Sequence, residues 1–373
     1  MPRTTHRPRL RTAVALALAA AASSAAGGAR AADDHDPYFY KGYDYGSQSL
    51  FNPAYVLLNR GFDVLQLRPD QRNIFGYDYQ LNVKNVLGNV VDPFSAISNR
   101  GWGRWLREEI FPLSWTRGSA RWVPNYGLHL IGGGTTYTAL REWFEARDAP
   151  APVATAFSVA TLYTAAIVNE SLENNGTVGF NTDCLADLYV FDLAGILLFS
   201  IDGVNEFFSR SVIVSDWSLQ PVFTAPHGDI HNQGNYYAAK WALPFYDRLR
   251  LFGYMGFSSL GGLSMKITDD LSISAAAGAK VERIASVQAV TGDLVTLRSS
   301  GALFLDRNES LLASVQVADV QDYFVHVNVY PNAFFHTDPG VGLFAVLSKD
   351  ARFMAGVSLT RSFGFGVGGG TIR

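Results

Sequence analysis

The chain of 373 residues contains one cysteine, Cys184. A single thiol forms no internal disulfide, so a disulfide-stapled scaffold is excluded. Charge is scarce, with 17 % of residues charged against about 25 % in ordinary soluble proteins. Lys and Arg form no block beyond the N-terminus, and the formal net charge is −3. A basic nucleic-acid binder is therefore excluded. Beyond the N-terminal segment, uninterrupted apolar runs fall short of the roughly 20 residues that a conventional membrane helix needs. No G-x-S-x-G nucleophile elbow occurs. Gly132-Gly133-Gly134 and Gly368-Gly369-Gly370 lack the strand–loop–helix context and following Lys of a phosphate loop. No cofactor motif is present.

Aromatic side chains and glycine are abundant: 17 Tyr, 25 Phe, 7 Trp and 35 Gly. So many large apolar rings exclude a disordered or collagen-like chain. The first 31 residues read as an export signal. Arg3, Arg7, Arg9 and Arg11 form a basic start, an Ala-rich apolar run follows, and Ala29-Arg30-Ala31 supplies a small-x-small cleavage site. Removal of residues 1–31 takes away five arginines and no acid, moving the net charge from −3 to −8. With Cys184 far from that point, no lipid-modified N-terminal cysteine is available. The expected location is the bacterial cell envelope.

Three stretches follow. Residues 32–115 are aromatic and turn-rich, with a helix expected over 51–67, a strand over 76–83 and an amphipathic segment over 103–111. Trp102, Trp105, Trp115 and Trp122 flank that segment; Trp favours membrane–water interfaces, and packing on the next module is the competing role. Residues 116–210 read as a module of three apolar helices, over 125–146, 153–170 and 185–208. Residues 211–373 alternate apolar with small or polar residues, as in 233–243, 271–281, 325–330 and 353–360. A period of two is that of strands. The expected fold class is α+β: a three-helix apolar module followed by a C-terminal antiparallel β-barrel of about eight to ten strands, of outer-membrane type. The chain ends in GGGTIR, so the usual aromatic terminal strand signal is either absent or displaced to 363–367. A soluble periplasmic barrel or sandwich has the same period and is the rival architecture.

Four polar residues interrupt the apolar helices: His129, Glu170, Asp187 and Asp192. A charge among apolar side chains costs several kcal/mol unless paired, so these four are expected to face one another or water. Asp187 and Asp192, five residues apart, lie about 140° apart on an ideal helix. The pattern of His129 in a Gly-flanked helix, Arg141, Glu170 closing the next helix, and Asp187 with Asp192-Leu193-Ala194-Gly195 resembles families of uncharacterised bacterial periplasmic lipoproteins and outer-membrane-associated proteins. It spans roughly residues 122–200. The resemblance implies an envelope location and a helical fold, and no established activity.

Two roles compete for His129, Glu170, Asp187 and Asp192. One is a structural network fixing the helices in register. The other is a catalytic site of a lipid- or envelope-modifying hydrolase, with Glu170 or Asp192 as general base and His129 as its partner; a His–carboxylate metal site is a further option. The network is preferred, since no motif supplies a nucleophile and Asp183 beside Cys184 disfavours a thiolate. His227-Gly228-Asp229-Ile230-His231 carries metal-ligand residue types, but its place between strands favours a polar loop. The expected function is that of a non-enzymatic outer-membrane-associated protein, structural or transporting, whose helical module plugs or supports the barrel. Membrane lipid is the expected partner, and a soluble binder of an apolar ligand the remaining alternative.

Overall fold

The computed structural model describes residues 36–68, 71–112, 123–173, 179–224, 228–285, 294–360 and 364–372. The export signal, Trp115, Trp122 and His227 lie outside the described residues. The architecture is α+β, with helices up to Ser211 and strands from Val212 onward.

Side-chain caps set the helix starts. Asn52 accepts from the Tyr55 amide and Pro53 takes the first turn of α1 (Pro53–Gly61). A 3-10 turn, Asp63–Leu67, continues it, so the helix expected over 51–67 is present in two pieces. The strand expected over 76–83 is a helix instead. Asp78 accepts from the Leu81 amide and starts α2 (Tyr79–Val91). Eight alternating residues were too few to outweigh that cap: Asn82, Val86 and Asn89 share the buried side, at helical spacing. α3 (Pro93–Arg100) begins the same way, on Asp92. A π-wound stretch, Val123–Gly132, runs straight into α4 (Gly133–Glu145), and α5 spans Ala151–Glu173.

The helix expected over 185–208 is broken. Asp183–Leu198 and Asp202–Ser211 meet at a bend of 88°. At the break the buried carbonyl of Phe199 accepts from Asn205 Nδ2 at 2.8 Å and Thr138 Oγ1 at 3.3 Å. The turn thus satisfies its freed backbone with side chains from two other places.

The strands are β1 (Val212–Asp216), β2 (Val222–Thr224), β3 (Asp229–His231), β4 (Tyr237–Leu243), β5 (Tyr246–Met255), β6 (Ser258–Lys266), β7 (Leu271–Ala285), β8 (Leu294–Arg307), β9 (Ser310–Ala318), β10 (Val325–Val329), β11 (Val341–Leu347), β12 (Phe353–Leu359) and β13 (Gly366–Gly370). They form one sheet in the order β1-β4-β5-β6-β7-β8-β9-β10-β11-β12-β13-β2-β3. All neighbours are antiparallel except β13 and β2, which are parallel. The hydrogen-bonded order has two ends, β1 and β3, and is not closed into a barrel. The expected barrel of eight to ten strands is corrected to a thirteen-strand, mostly antiparallel sheet. Period-two patterning reports the two faces of each strand and carries no information on how the ends of a sheet meet.

The two faces are inverted relative to a soluble sheet. Trp241, Leu251, Leu263, Leu303, Val315, Leu343, Phe353 and Val357 are exposed, Leu303 by 54 % of its surface. The opposite side buries Lys240, Ser264, Ser274, Lys280, Asp306, Gln316, His326, Asn328 and Ser358. Aromatic residues gather within this polar side: Trp217, Phe252, Phe304 and Tyr254 pack ring to ring at 4.7–5.7 Å.

The π-wound stretch before α4 and the segment ending at Ser211 lie against the apolar side of β1, β4 and β5, while Phe39, Leu50 and Tyr55 join the ring cluster of the opposite side. Leu128, Ile131 and Phe208 pack on Val214, Tyr237, Ala239 and Met255, which share a face with Trp241 and Leu251 by register. α1 sits where β1 ends and β2 begins: Asn59 Nδ2 donates to the Leu219 carbonyl, and its Oδ1 accepts from the Gly234 amide.

Candidate functional site

Four helical segments bring the polar residues together. His129 stands on the π-wound stretch before α4, Glu170 near the end of α5, and Asp187 and Asp192 at the two ends of a second π-wound stretch, Asp187–Asp192. In π winding each amide bonds five residues back, so residues five apart face the same way. The separation of about 140° expected of an ideal helix therefore does not hold. Both aspartates reach one imidazole: His129 Nδ1 is 3.1 Å from Asp192 Oδ1, and Nε2 is 3.7 Å from Asp187 Oδ2.

The fifth member is Arg60, from α1. Its NH2 donates to Asp192 Oδ1 at 2.6 Å, and both side chains are buried. NH1 donates to the Leu128 carbonyl at 3.3 Å. Arg60 escaped sequence reasoning, although a lone charge among the mostly apolar residues 55–62 was a signal of the same kind as His129. Arg141, part of the resemblance pattern, points elsewhere and pairs along its own helix with Glu145 at 3.7 Å.

Burial disfavours the imidazolium, yet the carboxylates of Asp187 and Asp192 outweigh it and push the His129 pKa up to about 9. Burial also works against the Asp192 carboxylate, but Arg60 and His129 hold its pKa below the usual value. Burial pushes the Asp187 pKa up to about 7 against the pull of His129. Asp187 and Glu170 share a side-chain hydrogen bond, and two carboxyls so joined need a proton between them. With Nδ1 protonated, His129 donates to Asp192, so its 3.3 Å approach to Arg60 NH2 is a contact between two cations on one carboxylate. The chain Glu170–Asp187–His129–Asp192–Arg60 thus runs from a carboxyl pair through the imidazole to a carboxylate and a guanidinium, and ties α1, α5 and both π-wound stretches together.

Small residues make this possible. A Cβ on Gly195 would stand 2.6 Å from the Leu130 carbonyl, and one on Gly134 would stand 2.2 Å from the Phe199 ring. The glycines of the GGG and DLAG runs let these helices approach until the polar chain closes.

A hydrolase would need a nucleophile and room for a substrate beside these groups. Cys184 is fully buried and its thiol pKa is pushed far up by burial. Two cavities are resolved elsewhere. One, of about 720 Å³, opens between Tyr40, Tyr43, Trp143, Arg147 and His336. The other, of about 280 Å³, lies at the polar side of the sheet around Arg72, Lys280 and Tyr323. Neither is lined by the five residues of the chain. Of the H-x-D-x-H run, His227 lies outside the described residues; His231 is buried beside Tyr323, and Asp229 bridges to Asn73 in the backbone ladder. Among the described residues no three His, Cys, Asp or Glu side chains are placed to hold a metal ion.

Comparison with protein-family models, curated proteins and solved structures finds no match to this chain.

Proposed function

We propose that this is an exported, outer-membrane-associated protein with a structural or transport role. In this reading the sheet lies in lipid with its apolar face outward, and the helical region braces it. The observation that carries the reading is the inverted sheet, with Leu, Val and Phe on the exposed face and Lys, Asp, His, Asn and Ser on the buried one. In water that arrangement leaves large apolar side chains exposed on strand after strand, where a monomer usually shows only small patches. In a bilayer it is the expected pattern of a spanning sheet. Trp241, Phe245, Tyr246, Phe334 and Phe335, all exposed, lie at the β4–β5 and β10–β11 ends of the strands, where an aromatic belt would meet the headgroups.

β1 pairs with β4 and β2 with β3 in one continuous register, bridged by Trp217 N to Tyr236 O and Leu219 N to Gly234 O. β4 is bonded onward to β5, and β2 to β13. The ionic chain of Arg60, His129, Asp187, Asp192 and Glu170 fits bracing, because it ties the stretch Val123–Gly132, which packs on β1, β4 and β5, to α1, α5 and the stretch Asp187–Asp192.

Cell fractionation tests the reading. The protein is expected in the outer-membrane fraction, extracted only by detergent. A detergent-free periplasmic protein would overturn the lipid reading.

A further inference from the structure

The second cavity is lined by two cations, Arg72 and Lys280, that no carboxylate among the described residues neutralises. Arg72 is 4 % exposed and Lys280, on β7, is 7 % exposed. The ring of Tyr323 lies near both, 5.1 Å from the Arg72 guanidinium carbon and 5.5 Å from Lys280 Nζ. Arg72 NH1 donates to the Tyr323 hydroxyl at 3.3 Å, and Arg72 Nε has no hydrogen-bond partner. Among the described residues no carboxylate pairs with either cation. The acids at the rim are committed to other bases: Asp322 to Arg352 at 3.0 Å and Glu282 to Arg298 at 2.7 Å. Removing an ion from water costs several kcal/mol when nothing offsets it, and two like charges add mutual repulsion. The cavity they face has a volume of about 280 Å³.

We propose that this cavity is an anion site for a phosphate-bearing group, held by Arg72 and Lys280. The paired positive charges match the two negative charges of a phosphomonoester. Guanidinium and ammonium groups carry only donors, which suits phosphate oxygens. Two imidazoles stand close by: His231 Nδ1 is 3.4 Å from the Tyr323 hydroxyl, and His326 lines the cavity with its Nε2 2.6 Å from Asn232 Oδ1. The volume accepts a phosphate and a few further atoms, as in free phosphate or a lipid headgroup. The inference does not depend on whether the sheet lies in lipid or in water.

The test uses the full chain folded in nonionic detergent. Calorimetric titration with inorganic phosphate, and separately with micelles doped with phosphatidic acid or phosphatidylcholine, reads binding directly. Saturable binding of phosphate or of phosphatidic acid is expected, weakened at least tenfold by Lys280→Met and by Arg72→Gln and kept within threefold by Lys280→Arg. Binding of free phosphate identifies a soluble ligand; binding of phosphatidic acid alone identifies a headgroup. No binding of either, equal binding of acetate, or variants that bind as tightly as the parent would each overturn the site. Should the charge-removing variants not fold, acylation of Lys280 in the parent protein, followed by mass spectrometry, gives the same answer. The bound phosphate compound is expected to slow acylation at that residue, and unchanged acylation overturns the proposal.

Discussion

At the scale of the residue, His129 is the hinge of the buried ionic chain, and its protonation has a sign. Its pKa is about 9 in the folded chain against 6.5 for a free imidazole. A group whose pKa is raised on folding contributes its full stability below the unfolded value and loses it as pH rises through the folded one. The contribution is therefore complete at about pH 6 and fades between about pH 6.5 and 9, on the order of 3 kcal/mol at most. Thermal melts of the helical signal in detergent should show a midpoint that falls across this window. In His129→Gln the midpoint should be lower at neutral pH and flatter above it. An unchanged slope in that variant would assign the titration to another group. Asp187, with its pKa near 7, adds in the same direction.

At the scale of the element, winding decides what meets what. The sequence places Asp187 and Asp192 on well-separated sides of an ideal helix, whereas the π-wound turn turns both toward His129. Extra backbone per turn is a cost that local propensity does not favour. It is met here by a contact with a residue 58 to 63 positions earlier, which no window of sequence includes. The same holds at the break after Leu198, where Thr138, 61 positions earlier, donates to the Phe199 carbonyl alongside the nearby Asn205. Gly134 is the point at which α4 and this break touch. Gly134→Ala would press a methyl to 2.2 Å from the buried Phe199 ring. It should destabilise the helical region by about 1–3 kcal/mol, the range for overpacking, although alanine is the better helix former. Chemical unfolding followed by circular dichroism checks it, and a gain in stability would mean that Phe199 moves aside freely.

At the scale of the whole molecule, the question is which solvent the sheet faces. Leu303→Lys on the exposed face of β8 separates the answers by magnitude. On a surface in water such a change is usually worth no more than about 0.5 kcal/mol either way. In the middle of a bilayer it costs about 2–4 kcal/mol. Folding in lipid vesicles, measured by denaturant titration, is expected to give the larger loss.

Much of this was legible in the residues alone. The alternation after residue 211 dictates strands, because neighbouring side chains on an extended backbone point to opposite sides. The apolar runs over 125–146 and 153–170 dictate helices, and the charges stranded within them dictate a partnership, since an isolated charge there is too costly to keep. What the tertiary structure decided is everything that depends on distance along the chain: that Arg60 completes the ionic chain, that Asp187 and Asp192 share one imidazole, that thirteen strands join with one parallel pair, and that the polar faces turn inward. An alternating strand reads the same whichever face meets solvent. The choice is made only when residues hundreds of positions apart compete for the same buried space.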